Sequence, residues 1–379
     1  MPIFAKIFIN HYLNRLVEFM SSIYSVITGT GSYVPPRLIN NSDFLTNEFY
    51  DTDGKVLTTP NSVIVNKFQE ITTISQRRYA NDDQVTSDLA LIAAQRAIED
   101  AGIDKEDLDY VIFGHNFGEA TIDNNRTDIV PTLSARLKQK LGIESPNAVA
   151  YDVLFGCPGW LQGVIQADYY IKSGDAKKIL VVGGEILSRL SDPHDRDSMI
   201  YADGAGAVIL EGRESDTPIG ILGHNSRTDS YLYAQMLRMG YSNNPKLAET
   251  KDYFLKMNGR RLYMYALENV PKSIKAGLDK LGLHINQIKK ILIHQANGKM
   301  DDAILKRLYE LYDIQNIPEE IMPMTISWLG NSSVATLPTL FDVLMHGELN
   351  EHEINSGDLI IFASVGAGMS INSMVYKMP

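Results

Sequence analysis

The feature that most constrains this chain is a repeat. Residues 102–115 (GIDKEDLDYVIFGH) recur as residues 282–295 (GLHINQIKKILIHQ), at an offset of 180. Each copy follows an amphipathic helical pattern and leads into an apolar strand. A second match pairs Ser173-Gly174-Asp175 with Ser356-Gly357-Asp358, each again entering an apolar run. Between these matches Gly156-Cys157 falls opposite Gly330-Asn331, and a helical pattern follows each pair. Short glycine-containing matches arise by chance. Two in the same order, bracketing a third, instead point to a duplicated unit. Strand patterns at 24–30, 109–114, 148–154, 178–184, 205–211, 218–223, 289–294, 358–364 and 370–376 alternate with helical patterns at 86–101, 132–141, 159–173, 259–281, 299–312 and 333–346. Such alternation predicts α/β architecture with buried sheets. The halves divide as 23–213, carrying Cys157, and 214–379, carrying His294 and Asn331, with residues 1–22 as an N-terminal extension.

The most informative turn is the one around the only cysteine. The apolar run 148–154 ends just before Gly156-Cys157-Pro158-Gly159, and a helical pattern starts at Trp160. This spacing puts a thiol on a tight strand-to-helix turn at the positive end of a helix. There the unpaired N–H groups and the helix dipole favour the thiolate. A lone cysteine is more often a small buried hydrophobe; the strand–Gly–Cys–Pro–Gly–helix setting argues for a nucleophile. Proline is tolerated at the start of a helix, where its missing N–H would be unpaired anyway.

Composition narrows the function class. At 379 residues and 44% hydrophobic residues, the chain is long enough for a large core. One cysteine excludes an intramolecular disulfide and a Cys-based zinc site, and it fits a reducing compartment. A net charge of −11 argues against nucleic acid as a main partner. No apolar run is long enough to span a bilayer, so a cytoplasmic location is expected. Residues 1–19 look amphipathic, but Asn10, His11, Asn14 and Arg15 interrupt any signal-peptide core. They read as a surface or partner helix or, better, as a dispensable extension before Met20.

His294 ends a strand pattern, at the carboxyl end where functional groups gather in α/β folds. It is followed by Gln295-Ala296-Asn297. Asn331 opens a turn and a helix; such an asparagine can cap the helix and still aim its amide into a site. The other histidines (His11, His115, His194, His224, His284, His346, His352) have weaker contexts, and none pairs at metal-ligand spacing. Cys, His and Asn together also fit a papain-like hydrolase, but the sequence around Cys157 is not of that kind.

In these residues the chain resembles the β-ketoacyl-acyl-carrier-protein synthase III enzymes of the thiolase superfamily. The resemblance runs from about residue 23 to 379. It is carried by residues 27–35 (ITGTGSYVP), Gly156-Cys157-Pro158-Gly159, Asp192 to Arg196, Asp203-Gly204-Ala205-Gly206, His294 to Asn297, Gly330-Asn331-Ser332-Ser333 and Gly366-Ala367-Gly368. It implies a duplicated thiolase-like fold, layered αβαβα, with two mixed sheets and central buried helices. It also implies chemistry: Cys157 takes an acyl group from a thioester, with the backbone N–H groups of Cys157 and Gly368 as oxyanion hole. His294 and Asn331 then stabilise the enolate formed as a malonyl thioester loses CO₂. No metal or redox cofactor is implied, only phosphopantetheine-linked substrates. The implied partners are an acyl-carrier protein, an acyl-CoA or acyl-carrier-protein donor, and a second copy of the chain in a homodimer. Because acyl-carrier proteins are acidic, docking on an acidic chain needs a local basic patch. Lys299, Lys306 and Arg307, with Lys289 and Lys290 just before, offer one, and Arg196 matches a family nucleotide contact.

The chain departs from the family pattern in three ways. Pro158 follows Cys157 where the family usually has a small residue, which with Trp160 close by suggests an altered pocket floor. Residues 63–74 lack the tryptophan with which members primed by acyl-CoA grip adenine, which favours a carrier-bound donor. Residues 45–62 and 118–128 look longer than usual and could reshape the acyl pocket or the dimer contact. These departures keep open a superfamily member that condenses larger acyl units in a dialkylresorcinol or pigment pathway. A non-catalytic binding protein on the same fold is a third reading, opposed by the joint presence of Cys157, His294 and Asn331.

Overall fold

The structure, a computed structural model, describes residues 22–379; the reading of the N-terminal extension lies outside the described residues except for Ser22, which opens the first strand. Nine strands build two sheets. The first has the order β1 (Ser22–Tyr33), β9 (Asp203–Ser215), β8 (Lys178–Ile186), β4 (Tyr110–His115), β7 (Val149–Leu154). The second has the order β10 (Gly220–Thr228), β15 (Ser370–Lys377), β14 (Leu359–Gly366), β13 (Ile288–Ile293). In each sheet a parallel pair, β4·β8 or β13·β14, adjoins two antiparallel pairings that end on the opening strand of that half. The place of β7 in the second sheet is taken by irregular chain: Ile291 N–H donates to Ile321 C=O at 2.8 Å. All nine central strands and the six helices read from the sequence are present. Smaller ribbons, β2 (Arg37–Asn40) with β3 (Gln76–Tyr79), β5 (Glu119–Thr121) with β6 (Asn124–Asp128) and β11 (Leu237–Gly240) with β12 (Phe254–Met257), lie outside them.

The two-residue period of the strands assigns each side chain to a layer. On β4, Val111 and Phe113 face outward, onto α2 (Thr86–Ala101) and α3 (Leu133–Leu141), helices that follow the short α1 (Asn61–Thr72). Ile112 faces inward, onto α4 (Gly159–Ser173). On β14, Ile361 and Ala363 face α5 (Gly259–Leu281) and α6 (Gly298–Glu310), while Ile360 and Phe362 face inward. The inner faces of both sheets share one core with α4 and α7 (Thr336–Met345), through Trp160, Val164, Leu340 and Phe341. The layers are therefore helix, sheet, helix, sheet, helix. Strands covered on both faces must be apolar throughout, which is why they read so clearly.

The repeat has a structural cause. Gly102 and Gly282 both end a helix in the left-handed region (φ 64° and 65°) and both turn the chain into a buried strand. The central helices α4 and α7 follow the Gly156-Cys157 and Gly330-Asn331 turns, so both turns open into the middle layer. What the sequence did not announce is the peripheral cover. Helix α1 and the β2–β3 ribbon form a small satellite in which buried Arg77 lies over the Phe44 and Phe68 rings, at 4.9 and 5.7 Å, and donates to Asn41 Oδ1 at 2.7 Å. The long stretch at 118–128 is the β5–β6 hairpin. Trp160 is fully buried in the central core against Phe362, so it contributes no pocket floor.

Asp342 ties the middle layer to the first strand. Its carboxylate accepts from Thr30 Oγ1 at 2.7 Å and Ser32 Oγ at 2.6 Å, both buried. Truncation leaves two buried hydroxyls unpaired, each costing about 1–3 kcal/mol. Asp342→Ala is expected to destabilise the fold by about 2–4 kcal/mol, read as a lower urea midpoint, while Asp342→Asn loses less.

Candidate active site

The Cys157 turn is built from backbone. Strand β7 ends at Leu154, Gly156 takes φ 68°, Gly159 N–H closes a turn on Gly156 C=O at 2.9 Å, and Pro158 caps α4. The loop after β14 presses on this turn from the other half. A Cβ on Gly366 would stand 2.4 Å from Cys157 N, and one on Gly156 would stand 2.6 Å from Ala367 N. Both distances are far below any real contact, so the two loops approach this closely only because both positions are glycine.

His294 follows β13, and its N–H donates to Ala363 C=O at 2.8 Å. The rest of its motif is scaffolding. Gln295 donates to Pro323 C=O at 2.7 Å and accepts from Thr325 and Ile326 N–H at 2.8 and 3.0 Å. Asn297 caps α6. Gln295 thereby fixes the chain that runs on to Asn331. Asn331 is bridged to the 200–202 segment by two backbone hydrogen bonds of 2.9 Å, and its Oδ1 accepts from Ser333 N–H at 2.8 Å. That contact orients the amide and leaves Nδ2, a donor, without a protein partner among the described residues.

Cys157, His294 and Asn331 line one cavity of about 70 Å³, walled by apolar side chains that include Phe117, Leu187, Leu237, Leu255 and Val365. Ile200, Met257, Leu262, Ala296 and Met300 belong both to this cavity and to a groove of about 740 Å³ that opens to solvent. The groove therefore leads to the thiol. Of the expected oxyanion pair, Cys157 borders the cavity; Val365 of β14 and Ala367 of the loop that follows it, next to Gly368, contribute to the wall. Pro158 is not part of the wall.

Electrostatics correct one expectation. Burial pushes the Cys157 thiol up to about 11; Ser333 and the backbone pull it down, and the nearby Glu185 charge pushes it further up. The partial exposure of Cys157 is to the cavity it lines. Burial alone lowers His294 to about 4, so the imidazole is neutral, and its Nδ1 has no partner among the described residues. The resting site holds a thiol and a neutral imidazole. Glu185, fully buried on β8, is raised by burial to about 7. The sequence reading did not single it out, because nothing local marks a strand carboxylate as a neighbour of Cys157.

The cations divide by place. Arg196 borders the groove, together with Lys67 and Arg260, which were not anticipated. Arg307 borders an adjoining groove that shares Arg260, while Lys299 and Lys306 are exposed on α6 outside both. Lys290 leaves the patch altogether. It is buried, and its Nζ donates to Glu320 C=O at 2.6 Å, because its strand position faces the core. His115 is a structural residue: Nε2 meets Asp152 at 2.8 Å and Nδ1 accepts from Gly118 N–H at 3.0 Å.

Two family models match the chain: 3-oxoacyl-[acyl-carrier-protein] synthase III over residues 151–230, and the C-terminal part of the same enzyme over residues 278–378. The β-ketoacyl-[acyl-carrier-protein] synthase III of Brucella anthropi is 31% identical over 359 residues, 94% of this chain and 99% of that protein. The chain belongs to the β-ketoacyl-acyl-carrier-protein synthase III family. Its relative from Ehrlichia ruminantium is also 31% identical, covering 93% of this chain and 99% of that protein. Among solved structures, the synthase III of Thermus thermophilus superposes with a TM-score of 0.76 at 27% identity, covering 93% of this chain and 99% of the other. The priming β-ketosynthase of the R1128 polyketide pathway gives 0.77 at 25%, covering 95% and 98%. The fold is the thiolase fold of that family, and the chain is an acyltransferase of the β-ketoacyl synthase type.

Two outcomes follow from this geometry. Because the thiol is held near 11, iodoacetamide labelling of Cys157 is expected to rise about tenfold per pH unit from pH 7 to 9, with no plateau, when followed by intact mass. Gly366→Ala drives a methyl into Cys157 N and Pro158 Cδ, and it is expected to slow acyl loading by ~100-fold with the protein still folded by circular dichroism.

Proposed function

We propose that this protein loads an acyl group onto Cys157 and then condenses it with malonyl-acyl-carrier protein to give a 3-oxoacyl thioester. The observation that carries this reading is the convergence of Cys157, His294 and Asn331 on one apolar cavity at the end of an open groove. The Cys157 thiol loses its proton as its sulfur attacks the incoming thioester carbonyl. The oxyanion is held by backbone N–H groups of Cys157 and Gly368, and the carrier thiol departs with a proton. The malonyl thioester then takes its place. As its C–CO₂ bond breaks, the electron pair becomes an enolate whose oxygen is held by His294 and Asn331. The enolate carbon attacks the acyl carbonyl, and the Cys157 sulfur leaves and is reprotonated. A neutral imidazole beside a free amide donor suits this task, since both donate to the oxygen without adding a charge to an apolar cavity. Loss of CO₂ supplies the driving force, so phosphopantetheine-linked substrates suffice without a metal or redox cofactor.

The phosphopantetheine arm is assigned to the groove, with Arg196, Lys67 and Arg260 as cations for its phosphate and Lys299, Lys306 and Arg307 as the outer basic surface for an acidic carrier. A two-fold homodimer is supported by the open edge of β7, where Val149 and Leu154 are exposed hydrophobics.

The test is intact-mass detection of the acyl group that loads from a panel of acyl-CoA and acyl-carrier-protein donors, followed by addition of malonyl-carrier protein. Cys157→Ala is expected to load nothing. His294→Ala and Asn331→Ala are expected to load normally yet lose ~10²–10³ in the condensation rate. An acylated Cys157→Ala protein would overturn the assignment of the nucleophile.

A further inference from the structure

The hydroxyl of Ser333 donates to Cys157 Sγ at 3.3 Å. Its oxygen accepts from Asn116 Nδ2 at 3.0 Å. Asn116 donates twice to Glu185 Oε2, from Nδ2 at 2.7 Å and from its backbone N–H at 2.9 Å. An amide nitrogen has two hydrogens, and here one serves Glu185 and the other Ser333. The Ser333 hydrogen is thereby left to point at the sulfur. Three segments remote in sequence meet in this chain: the end of β4, strand β8 and the turn after Asn331. Ser333 is also one of the few residues other than glycine in the left-handed region, at φ 55°. Such conformations persist where the surroundings over-determine them and cluster at functional sites. Here the strained turn does two things at once: its N–H holds Asn331 Oδ1, and its Oγ reaches the sulfur.

We propose that Ser333 is a further catalytic residue, which hydrogen-bonds the Cys157 sulfur as it gains charge, and that Asn116, anchored by Glu185, is the positioning residue that aims it. This rests on Cys157 as the nucleophile. A thiol buried in an apolar cavity needs donors when it ionises, and the side-chain donor in place is Ser333. The titratable groups around the sulfur are Glu185 from β8, His294 after β13 and Tyr201 beside Asn331. Glu185 opposes ionisation through space, while the donors it aligns favour it, so the relay offsets the cost of a buried carboxylate next to the nucleophile.

Iodoacetamide labelling at pH 8 tests this without any acyl substrate, so its result is independent of which thioester the enzyme uses. Cys157 is the chain's only cysteine and therefore the only reporter. Ser333→Ala is expected to leave about tenfold less thiolate. The less stabilised thiolate is intrinsically more nucleophilic and regains about threefold, so labelling slows by about threefold. Ser333→Gly, which also removes the hydroxyl but suits φ 55°, is expected to behave the same and covers the case in which the alanine variant does not fold. Asn116→Ala is expected to slow labelling by no more than this and to add nothing in the Ser333→Gly background. Labelling that is unchanged or faster in Ser333→Gly would overturn the role of Ser333. A full Asn116 effect that persists in the double variant would overturn the relay.

Discussion

The site depends on one close approach, the contact of the Gly156-Cys157 turn with the Gly366-Ala367 loop. These segments come from different halves and different sheets, and they meet where the missing Cβ atoms would stand 2.4–2.6 Å from backbone. The contact fixes the distance between the sheets at their carboxyl ends. It also brings the backbone of one loop against Cys157 on the other. Everything that acts on Cys157 is placed relative to this junction: His294 after β13, Asn331 and Ser333 on the turn before α7, and Glu185 near the end of β8.

Around the junction the molecule trades charge for dryness. Two central helices and the inner faces of two sheets make a continuous apolar layer, and the cavity opens into its end. In that setting neither the thiol nor the imidazole is charged at rest. A site of this kind holds its reacting groups neutral and supplies oriented donors for charge that appears only during reaction. In the proposed reaction the backbone of the Cys157 turn, the amide of Asn331 and the hydroxyl of Ser333 serve as such donors. The groove outside is also largely apolar but carries Lys67, Arg196 and Arg260, with Asp197, on its wall. In the proposed function a charged carrier meets the rim and an uncharged acyl group passes inward.

Much of this was legible in the chain because buried strands are apolar on both faces and glycine turns are chemically distinct. The nine central strands and six helices follow from periodicity. The pairing of the Cys157 and Asn331 turns follows from the repeat, and His294 follows from its place at a strand end. The peripheral ribbons were not legible. Strands such as β2 and β6 are short and mostly exposed, so they carry no alternation to read. Lys290 shows the converse error, in which a residue that reads as surface charge is turned inward by its strand register.

The sequence by itself determined a doubled α/β unit and a thiol on a strand-to-helix turn. Those are local properties, set by side-chain period and by turns that tolerate only certain residues. The tertiary structure decided the state and the company of that thiol. Burial raises the thiol above its ordinary value, because a sulfur anion is costly to desolvate there. The link from Glu185 through Asn116 and Ser333 joins positions 116, 185 and 333, and only the packing of two half-molecules onto each other brings such distant residues within hydrogen-bond reach.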